Sequence, residues 1–455
     1  MQSTLRAETA APIFKILQGM KPNPKQVEFL TAREKYVCYG GARGGGKSWV
    51  LRIKLILLCM NYTGLNCLLL RETYDEIKSN HLSPLGQMLH PFATLKVSEK
   101  LITFPNGSTI KGGYCGTDKD VQRYQGLEYD VIAIDEATHF KEDWIKLISG
   151  SLRSVRTDVS TQMFFTTNPG GVGHAYFKRI FIDREYKDTE DPAEYRFISA
   201  TVYDNTVLTE TNPDYVRQLE TLPEARRKAW LEGSWDVFEG QVFNEFVNAP
   251  EHYYDRKFTH VIAPFEVPED WNVYRSFDWG RAKPFSMGWW AVDYDGRMYR
   301  ILEYYGCQKD IPDTGLDLSS DELFTRIRDI ERTHPFLMGR EIRGVADPAI
   351  WKSDAGPSVQ ESAAKYGILF SRGNNQRVAG WQEVHQRLQF DAEGIPMMYI
   401  FNTCKDFIRT VPALIYDTHK AEDVDSSLED HIADETRYMC MSRPLAARDG
   451  GIYEN

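Results

Sequence analysis

The sequence has few of the features that would place a protein in a membrane or outside the cell. Its longest apolar runs, Leu55–Met60 and Cys67–Leu70, are far shorter than the roughly 20 residues that cross a bilayer. The stretch Met1–Ala11 contains Arg6 and Glu8 and has no apolar core, so we expect no secretory signal. The seven cysteines never occur as C-x-x-C, which argues against a zinc cluster or a disulfide framework. We therefore expect a soluble protein of a reducing cytoplasm, with no membrane partner.

The sequence also lacks an excess of positive charge. Its 54 Lys and Arg residues against 65 Asp and Glu residues give a net charge of -11, which argues against a binder that acts through bulk basicity. Residues 246–455 hold 24 basic and 34 acidic side chains, and 17 of the basic ones are Arg, which pairs bidentately with phosphate. Such a half can combine a carboxylate-lined metal site with an Arg-lined phosphate track, or it can simply present a solvated acidic surface.

The order of apolar and helical stretches predicts an α/β protein with two domains. In residues 1–245, β-rich runs alternate with helices, as in a domain built on a largely parallel sheet. The predicted elements there are the strands Lys35–Gly40, Leu65–Arg71, Asp130–Asp135 and Gln162–Thr167, the hairpin Leu101–Cys115, and the helices Ser48–Met60, Glu142–Arg153 and Tyr215–Glu232. A small lid or linker subdomain is expected at about 200–245, and an interdomain linker at 246–268, where prolines are frequent.

Residues 269–455 are predicted to form the second domain. Its predicted elements are the strands Val273–Asp278, Met287–Asp293, Met298–Tyr305 and Ile342–Asp347, and the helices Ser320–His334 and Leu428–Met441. Three successive strands followed by a helix and a further strand indicate a mixed sheet with helices packed on it.

A glycine-rich segment between a predicted strand and a predicted helix carries the strongest motif. It reads Gly41, Ala42, Arg43, Gly44, Gly45, Gly46, Lys47, Ser48 and matches G-x-x-x-x-G-K-[ST]. Such a loop brings backbone N–H groups to nucleotide phosphates at the start of a helix. Lys47 would reach the β- and γ-phosphates, and the Ser48 hydroxyl would bind Mg²⁺. The sequence therefore predicts an ATP site.

Two later segments complete this predicted site. The apolar strand Val131–Ile134 is followed by Asp135 and Glu136, which we expect to hold the metal and to activate the attacking water, respectively. Asn168 follows the next apolar strand. It would sense the γ-phosphate, or it would simply begin an Asn-Pro turn.

Arg43 and Gln26 are further candidates for the nucleotide site. A guanidinium at position 43 could act on the γ-phosphate as an arginine finger supplied by the same chain, or it could face a neighbouring carboxylate. Gln26 lies about 20 residues before the loop, and its amide could read an adenine edge.

Acidic residues at separated positions predict a second site, in the second domain. Asp278 and Asp347 end two predicted strands, and Asp430, His431 and Asp434 lie on the last predicted helix. Carboxylates in this arrangement can bind two Mg²⁺ or Mn²⁺ ions that act on a phosphodiester. Taken singly, each Asp is an ordinary turn or cap residue. Glu303 could add a ligand, although a paired surface charge is the preferred interpretation.

With these motifs the sequence resembles the large terminase subunits of tailed double-stranded DNA bacteriophages, over nearly the whole chain. The resemblance rests on the segments Gly40–Ser48, Ile134–Ala137, Thr166–Pro169, Trp230–Phe243, Phe277–Gly280, Ala346–Ala349 and Asp434–Tyr438. It implies a RecA-like, additional-strand P-loop ATPase domain followed by an RNase H/RuvC-like endonuclease domain. It also implies that Asp278, Asp347 and Asp434 are the nuclease's catalytic metal ligands. Many relatives have paired aspartates where this chain has Asp430-His431, so Asp430, His431 and Asp434 all stay candidates for the closest ligand.

The resemblance also implies partners and cofactors. It predicts ATP with Mg²⁺ in the first domain and two Mg²⁺ or Mn²⁺ ions in the second. The expected partners are double-stranded DNA, the portal protein and the small terminase subunit. The chain is expected to be a monomer in solution and a homo-oligomeric ring, a pentamer, on the procapsid, in the host cytoplasm and outside the mature virion. Arg123 is a candidate for an arginine acting on the neighbouring subunit.

Two other functions are compatible with the sequence. The first is a cellular helicase–nuclease of DNA repair, although the roughly 80 residues between Pro169 and the predicted linker are too few for a second RecA-like lobe. The second is an ATPase whose C-terminal half is a non-catalytic docking domain.

Overall fold

The protein consists of two compact units, Met1–Gly240 and Gln241–Asn455. The structure is a computed structural model that describes residues 21–221, 227, 231, 233–236, 238, 240–309, 311–353, 356–417, 420 and 422–443. Both units combine helices with a β-sheet, which confirms the α/β class. The domain limits placed at 1–245, 246–268 and 269–455 stay a prediction.

The first unit contains the strands and helices that carry the glycine-rich loop. Its strands are β1 (Tyr36–Gly41), β2 (Asn66–Arg71), β3 (Thr94–Lys96), β4 (Leu101–Thr103), β5 (Thr109–Tyr114), β6 (Val131–Ile134), β7 (Gln162–Thr167) and β8 (Tyr195–Ala200). Its helices are α1 (Pro24–Thr31), α2 (Lys47–Asn61), α3 (Tyr74–Ile77), α4 (Ser83–Leu89), α5 (Asp118–Val121), α6 (Glu142–Ser149), α7 (His174–Phe177), α8 (Thr206–Thr211) and α9 (Pro213–Glu220).

The sheet of this unit has the order β3-β4-β5-β2-β6-β7-β1-β8 within the described residues. Only the β3-β4 and β4-β5 pairs are antiparallel. The central strands are almost continuous apolar runs, because a parallel sheet is covered by helices on both faces. One face packs on α2 through side chains such as Val50 and Leu51; the other packs on α6 and α7 through Ile145 and Phe177. The carboxyl ends of β1, β2, β6 and β7 therefore meet at one edge.

The second unit contains a second mixed sheet. Its strands are β9 (Val261–Ile262), β10 (Asn272–Asp278), β11 (Ser286–Val292), β12 (Met298–Tyr305), β13 (Ile342–Ala346), β14 (Ser371–Arg372) and β15 (Met398–Phe401). Its helices are α10 (Ser320–Thr333), α11 (Val359–Lys365), α12 (Arg377–Leu388), α13 (Lys405–Thr410) and α14 (His431–Ser442).

The strand order of this sheet, in the part of the chain that the structure describes, is β14-β13-β10-β11-β12-β15-β9. Strands β10, β11 and β12 form an antiparallel meander, and β13 lies parallel to β10. The register pairs Phe277 with Ala346, so the residues that follow them, Asp278 and Asp347, lie at the same edge of the sheet. Helix α14 packs on β10 and β11.

Most predicted elements occur close to their predicted limits, and the differences have local causes. Helix α6 ends at Ser149 rather than Arg153, where Gly150 and a turn at Ser151 follow. Strand β8 was not predicted, because Arg196 and Ser199 interrupt its apolar pattern. Strand β9 lies inside the segment predicted as a linker and pairs with β15. Most of the predicted helix Tyr215–Glu232 beyond Thr221 lies outside the described residues.

Candidate active sites

The glycine-rich loop joins the carboxyl end of β1 to the first turn of α2. Gly41, Gly44 and Gly46 have φ values of 125°, 80° and 70°, which L side chains rarely adopt. A Cβ atom on Gly41 would lie 2.5 Å from the Ala200 carbonyl oxygen. Glycine is therefore required both for the turn and for close approach to β8. The loop ends where α2 begins, so free backbone N–H groups of the helix start point into it.

Lys47, the first residue of α2, is held within this loop. Its Nζ donates a hydrogen bond to the Ala42 carbonyl oxygen, and the side chain is buried. Burial lowers the pKa of Lys47 to about 8, although the carboxylates of Asp135 and Glu136 oppose that shift. Burial thus destabilises the charged form of Lys47, and an anionic ligand bound beside the ammonium would stabilise it strongly.

Asp135 lies directly after β6 and accepts hydrogen bonds from four side chains. The Ser48 hydroxyl lies 3.0 Å from both of its oxygens, and the Thr166 hydroxyl donates to Oδ1. Arg71 Nη1 and His81 Nε2 each lie 2.8 Å from Oδ2. Burial alone would raise the pKa of Asp135, but these partners hold it well below the ordinary range. The carboxylate is therefore ionised and fixed next to Ser48.

Glu136 follows Asp135 in the left-handed region, with φ 54°. Its Oε2 lies 2.6 Å from Arg71 Nη2, and its backbone N–H donates to the Thr166 hydroxyl over 3.2 Å. About a third of the side chain is exposed. The backbone turn thus separates the two acidic side chains: Asp135 is enclosed, whereas Glu136 reaches solvent.

Three further residues predicted for the nucleotide site are Asn168, Gln26 and Arg43. The Asn168 carbonyl accepts from the Thr138 hydroxyl over 3.0 Å, and its side-chain Oδ1 is buried with no protein partner among the described residues. Gln26 accepts from the Asn23 backbone N–H over 3.0 Å in the cap of α1, and its Nε2 faces Gly46. Arg43, within the loop itself, is exposed, and its charge contributes to lowering the pKa of Lys47.

Arg123 is not part of this assembly. Its guanidinium pairs with Asp120 at 3.0 Å and donates to the Tyr114 hydroxyl, also at 3.0 Å, and about half of the side chain is exposed. The structure therefore brings Lys47, Ser48, Asp135, Glu136 and Gln26 together at the loop that contains Arg43. Asn168 contacts Thr138, and Arg123 lies on the surface.

Sequence reasoning missed two residues of the first site. Arg71 is the last residue of β2, and its strand-end position next to the β6 acids was a usable signal. His81 is fully buried in the π-helical turn Lys78–Leu82, and nothing in the sequence pattern connected it to Asp135. Such turns often occur at functional sites.

The second candidate site lies at the edge of the other sheet where β10 and β13 end. Asp347 N donates to the Phe277 carbonyl over 2.9 Å, so Asp347 lies next to Asp278. The Asp347 carboxylate accepts from the backbone N–H of Ala349 over 2.9 Å. His431, at the start of α14, lies between two acids: its Nδ1 is 3.2 Å from Asp278 Oδ2 and its Nε2 is 3.2 Å from Asp313 Oδ1.

The two remaining acids of this site, Asp430 and Asp434, contact arginines. Arg377 Nη2 lies 3.2 Å from Asp430 Oδ2, and Arg377 Nη1 lies 2.7 Å from Asp434 Oδ2. Arg437 binds the other oxygen of Asp434 through Nε at 2.9 Å and Nη2 at 2.7 Å. Of the three candidates for the closest metal ligand, Asp434 thus has the most cationic partners and His431 faces Asp278.

The electrostatics of the second site differ from those of the first. Burial raises the pKa of Asp278 above its ordinary range, and the charges of Asp434 and Asp347 add to this. Burial and Asp434 likewise raise the pKa of Asp430. Burial would lower the pKa of His431, but its bonds to Asp278 and Asp313 raise it. Crowded, buried carboxylates of this kind are strongly stabilised by added positive charge.

The donor chemistry of the second site fits Mg²⁺ or Mn²⁺, because carboxylate oxygens are the ligands these ions prefer. Among the described residues, however, no three His, Cys, Asp or Glu side chains already lie at metal-ligand spacing. Both oxygens of Asp434 instead face guanidinium groups, Oδ2 that of Arg377 and Oδ1 that of Arg437. The first site likewise fits Mg²⁺ through Ser48 and Asp135.

Three residues near the second site differ from expectation. Glu303 is paired, as preferred, but it is buried rather than on the surface: it contacts Arg300 and accepts from the backbone N–H groups of Asp406 and Phe407 over 2.7 and 3.2 Å. Arg377 and Asp313 were missed, because neither lies in a recognisable motif.

No described helix is long and apolar enough to cross a bilayer. In comparisons with known proteins, residues 38–247 match the family model described as "Terminase large subunit, T4likevirus-type, N-terminal". A search of curated proteins found no match to the chain.

The chain is also similar to solved structures of phage large terminases, among them the following three. For the large terminase of a thermophilic bacteriophage the identity is 19%, the TM-score is 0.41, and 94% of this chain and 100% of that chain are covered. For the HK97 bacteriophage large terminase the identity is 12% and the TM-score is 0.45, and 93% of this chain and 95% of that chain are covered. For the P22 large terminase nuclease domain the identity is 17% and the TM-score is 0.34, and 45% of this chain and 93% of that chain are covered.

Proposed function

From the match of residues 38–247 to the N-terminal family model of the large terminase subunits, we propose that the chain is such a subunit and acts as a DNA-packaging motor and endonuclease. In this proposal the first unit, a P-loop ATPase domain, hydrolyses ATP to translocate double-stranded DNA. The second unit, an RNase H-like domain, cuts concatemeric DNA with divalent metal ions. The partners are the portal protein and the small terminase subunit, and the working form is a ring on the procapsid.

The arrangement of Lys47, Ser48 and Asp135 is the observation that supports ATP hydrolysis most. The buried ammonium, the hydroxyl and the ionised carboxylate converge at the start of α2, where backbone N–H groups favour phosphate. Ser48 and Asp135 would hold Mg²⁺, which supplies positive charge for the phosphates. Glu136, which reaches solvent, would orient and deprotonate a water molecule.

The edge formed by β10, β13 and α14 supports nuclease activity. Asp278 and Asp347 extend from neighbouring strands, and α14 brings Asp430, His431 and Asp434 to the same place. When bound, divalent ions would stabilise the charge that develops on the phosphodiester oxygens. The antiparallel meander with a parallel neighbouring strand supports the RNase H-like arrangement.

Two assays on the full-length chain test the two halves of the proposal. ATP hydrolysis with DNA and portal-bearing procapsids should be lost in Lys47→Ala, because the positive charge at the phosphates is removed. Wild-type turnover in that variant would contradict the loop assignment.

Degradation of plasmid DNA in the presence of Mn²⁺ should be lost in Asp347→Asn, which removes an anionic oxygen but keeps the side-chain size. Asp293→Asn is the matched control: Asp293 follows β11 at the opposite end of the meander and pairs with Arg297 at 2.9 Å. Equal cutting by Asp347→Asn and Asp293→Asn would favour the docking-domain alternative.

A further inference from the structure

Arg377, the first residue of α12, lies among three carboxylates. Its Nε donates to Asp423 over 2.8 Å, its Nη1 to Asp434 over 2.7 Å and its Nη2 to Asp430 over 3.2 Å. About a quarter of the Arg377 side chain is exposed, whereas the carboxylates are nearly enclosed. One guanidinium therefore neutralises much of the negative charge at this end of α14.

The three carboxylates that contact Arg377 differ in their other hydrogen-bond partners. Asp423 also accepts from the Trp381 indole N–H over 2.9 Å, and the Trp381 ring lies 5.2 Å from the Arg377 guanidinium carbon. These contacts fix the Nε side of Arg377 outside the acidic site. Only the Nη atoms reach Asp430 and Asp434.

Asp434 has a fixed oxygen and a shared one. Oδ1 is bound by two nitrogens of Arg437, a side chain with 1% exposure. Oδ2 is bound by Arg377 alone among the contacts of the described residues. Oδ2 of Asp434 and the carboxylate of Asp430 are therefore the oxygens that could exchange one cationic partner for another.

We propose that Arg377 is an internal counter-cation that competes with divalent metal for Asp430 and Asp434. Buried carboxylates without a positive partner are costly, so the guanidinium stabilises the acidic site. A divalent ion on these oxygens would place its positive charge next to the guanidinium, so we expect its binding to displace the Nη atoms while Nε stays on Asp423. This inference rests on the proposed nuclease function, because it concerns the same carboxylates.

The alternative is that Arg377 orients Asp434 for the metal, as hydrogen-bonded partners of metal ligands commonly do. The two roles predict opposite results. Removing a competing cation tightens metal binding, whereas removing an orienting donor weakens it.

The test is Mn²⁺ titration of the full-length protein by isothermal calorimetry. Arg377→Gln should bind Mn²⁺ about tenfold more tightly than wild type, because one nearby positive charge is gone. Arg377→Lys keeps the charge and should stay near wild type. Arg297→Gln is the control for a lost arginine, because Arg297 pairs with Asp293 at the far end of the meander. Unchanged or weaker binding in Arg377→Gln overturns the proposal.

A structure of the unchanged protein soaked with Mn²⁺ gives a second test that needs no variant to fold. The proposal expects the Arg377 Nη atoms to lie beyond hydrogen-bonding distance of Asp430 and Asp434, with the Asp423 contact kept. Mn²⁺ at the site with both Nη contacts intact overturns it. Absence of Mn²⁺ binding in wild type and Arg377→Gln alike would instead remove the proposed nuclease site, and this inference with it.

Discussion

The two candidate sites both place acids at the ends of neighbouring strands, yet their electrostatics are opposite. Asp135 and Asp278 are both buried, but the pKa of Asp135 is lowered while that of Asp278 is raised. Asp135 has Arg71 and His81 beside it, whereas Asp278 shares its surroundings with Asp347 and Asp434. Burial raises the pKa at both positions. At Asp135 the neighbouring cations outweigh it, whereas at Asp278 the contact with His431 does not, because Asp434 and Asp347 add to the effect of burial.

This difference indicates what each site requires from its ligands. The first site has its negative charge balanced by fixed cations, so we expect it to be shaped before nucleotide binds. The second site gathers more carboxylates than its cations neutralise, so added positive charge should complete it. The following predictions test the two sides of this comparison.

The largest effect is expected for Arg43→Ala. If Arg43 acts as an arginine finger, its removal should cut ATP turnover by about 10³-fold or more with little change in nucleotide affinity. ATP turnover and nucleotide affinity, measured on one preparation of Arg43→Ala, distinguish a role in catalysis from a role in nucleotide binding alone. An equal loss of affinity would show that Arg43 only helps to bind, so that the fixed charges of the first site suffice for the chemistry.

Glu136→Gln should slow hydrolysis by about 10²–10⁴-fold while nucleotide and Mg²⁺ still bind. The amide keeps the size of the side chain but cannot take a proton from water. Single-turnover hydrolysis and equilibrium nucleotide binding are the measurements. Loss of binding would assign Glu136 to the fixed, structural part of the site, together with Asp135.

His81→Phe tests whether the fixed partners of Asp135 matter for metal use. The ring volume is kept, but the 2.8 Å contact with Asp135 is lost. Removing such a partner typically weakens metal binding by about 10–100-fold, so the Mg²⁺ concentration for half-maximal ATP hydrolysis should rise by that factor. His81→Gln, whose amide can donate, should recover part of the loss. Unchanged Mg²⁺ dependence would mean that His81 only fills space.

The smallest effect concerns the acid dependence of the unfolding free energy, which depends on buried histidines outside the two sites. We expect such histidines to act in the same way in both units. His260 is fully buried, and burial lowers its pKa from 6.5 to about 4. The unfolded chain therefore binds more protons at acid pH, and the stabilisation present above pH 6.5 is lost as the pH falls to about 4. The loss should be ~3 kcal/mol.

Unfolding free energies of wild type and His260→Gln at pH 7 and pH 4 measure this contribution. The Nδ1 atom of His260 accepts from the Val247 N–H and its Nε2 atom contacts the Leu388 carbonyl, so the variant should be less stable at pH 7 but less sensitive to acid. Equal acid sensitivity would place the titration elsewhere, for example at His174, whose pKa burial also lowers.

The fold was largely predictable where local pattern and packing agree. Strand β7 was predicted with its observed limits and α2 within one residue at each end, because uninterrupted apolar runs and a glycine loop leave few alternatives. Strand β8 was not predictable from its own residues: it is a strand because it pairs with β1, and its pattern includes Arg196.

The residues of the two candidate sites were likewise predictable only in part. Residues that belong to a motif, such as Lys47 and Asp135, were found from spacing alone, since the motif encodes their geometry. Arg71, His81 and Arg377 act through tertiary contacts with residues distant in the chain, and a single sequence does not record such pairs. The roles assigned to all these residues stay predictions until they are measured.

The most direct test of the central claim, two separate sites with separate chemistry, is a parallel assay of ATP hydrolysis and plasmid cutting in wild type, Lys47→Ala and Asp278→Asn. Lys47→Ala should lose hydrolysis and keep Mn²⁺-dependent cutting, because no acid of the second site is changed. Asp278→Asn should lose cutting and keep hydrolysis, because the loop, Asp135 and Glu136 are intact. Wild-type cutting by Asp278→Asn, or loss of both activities in each variant, would contradict the account.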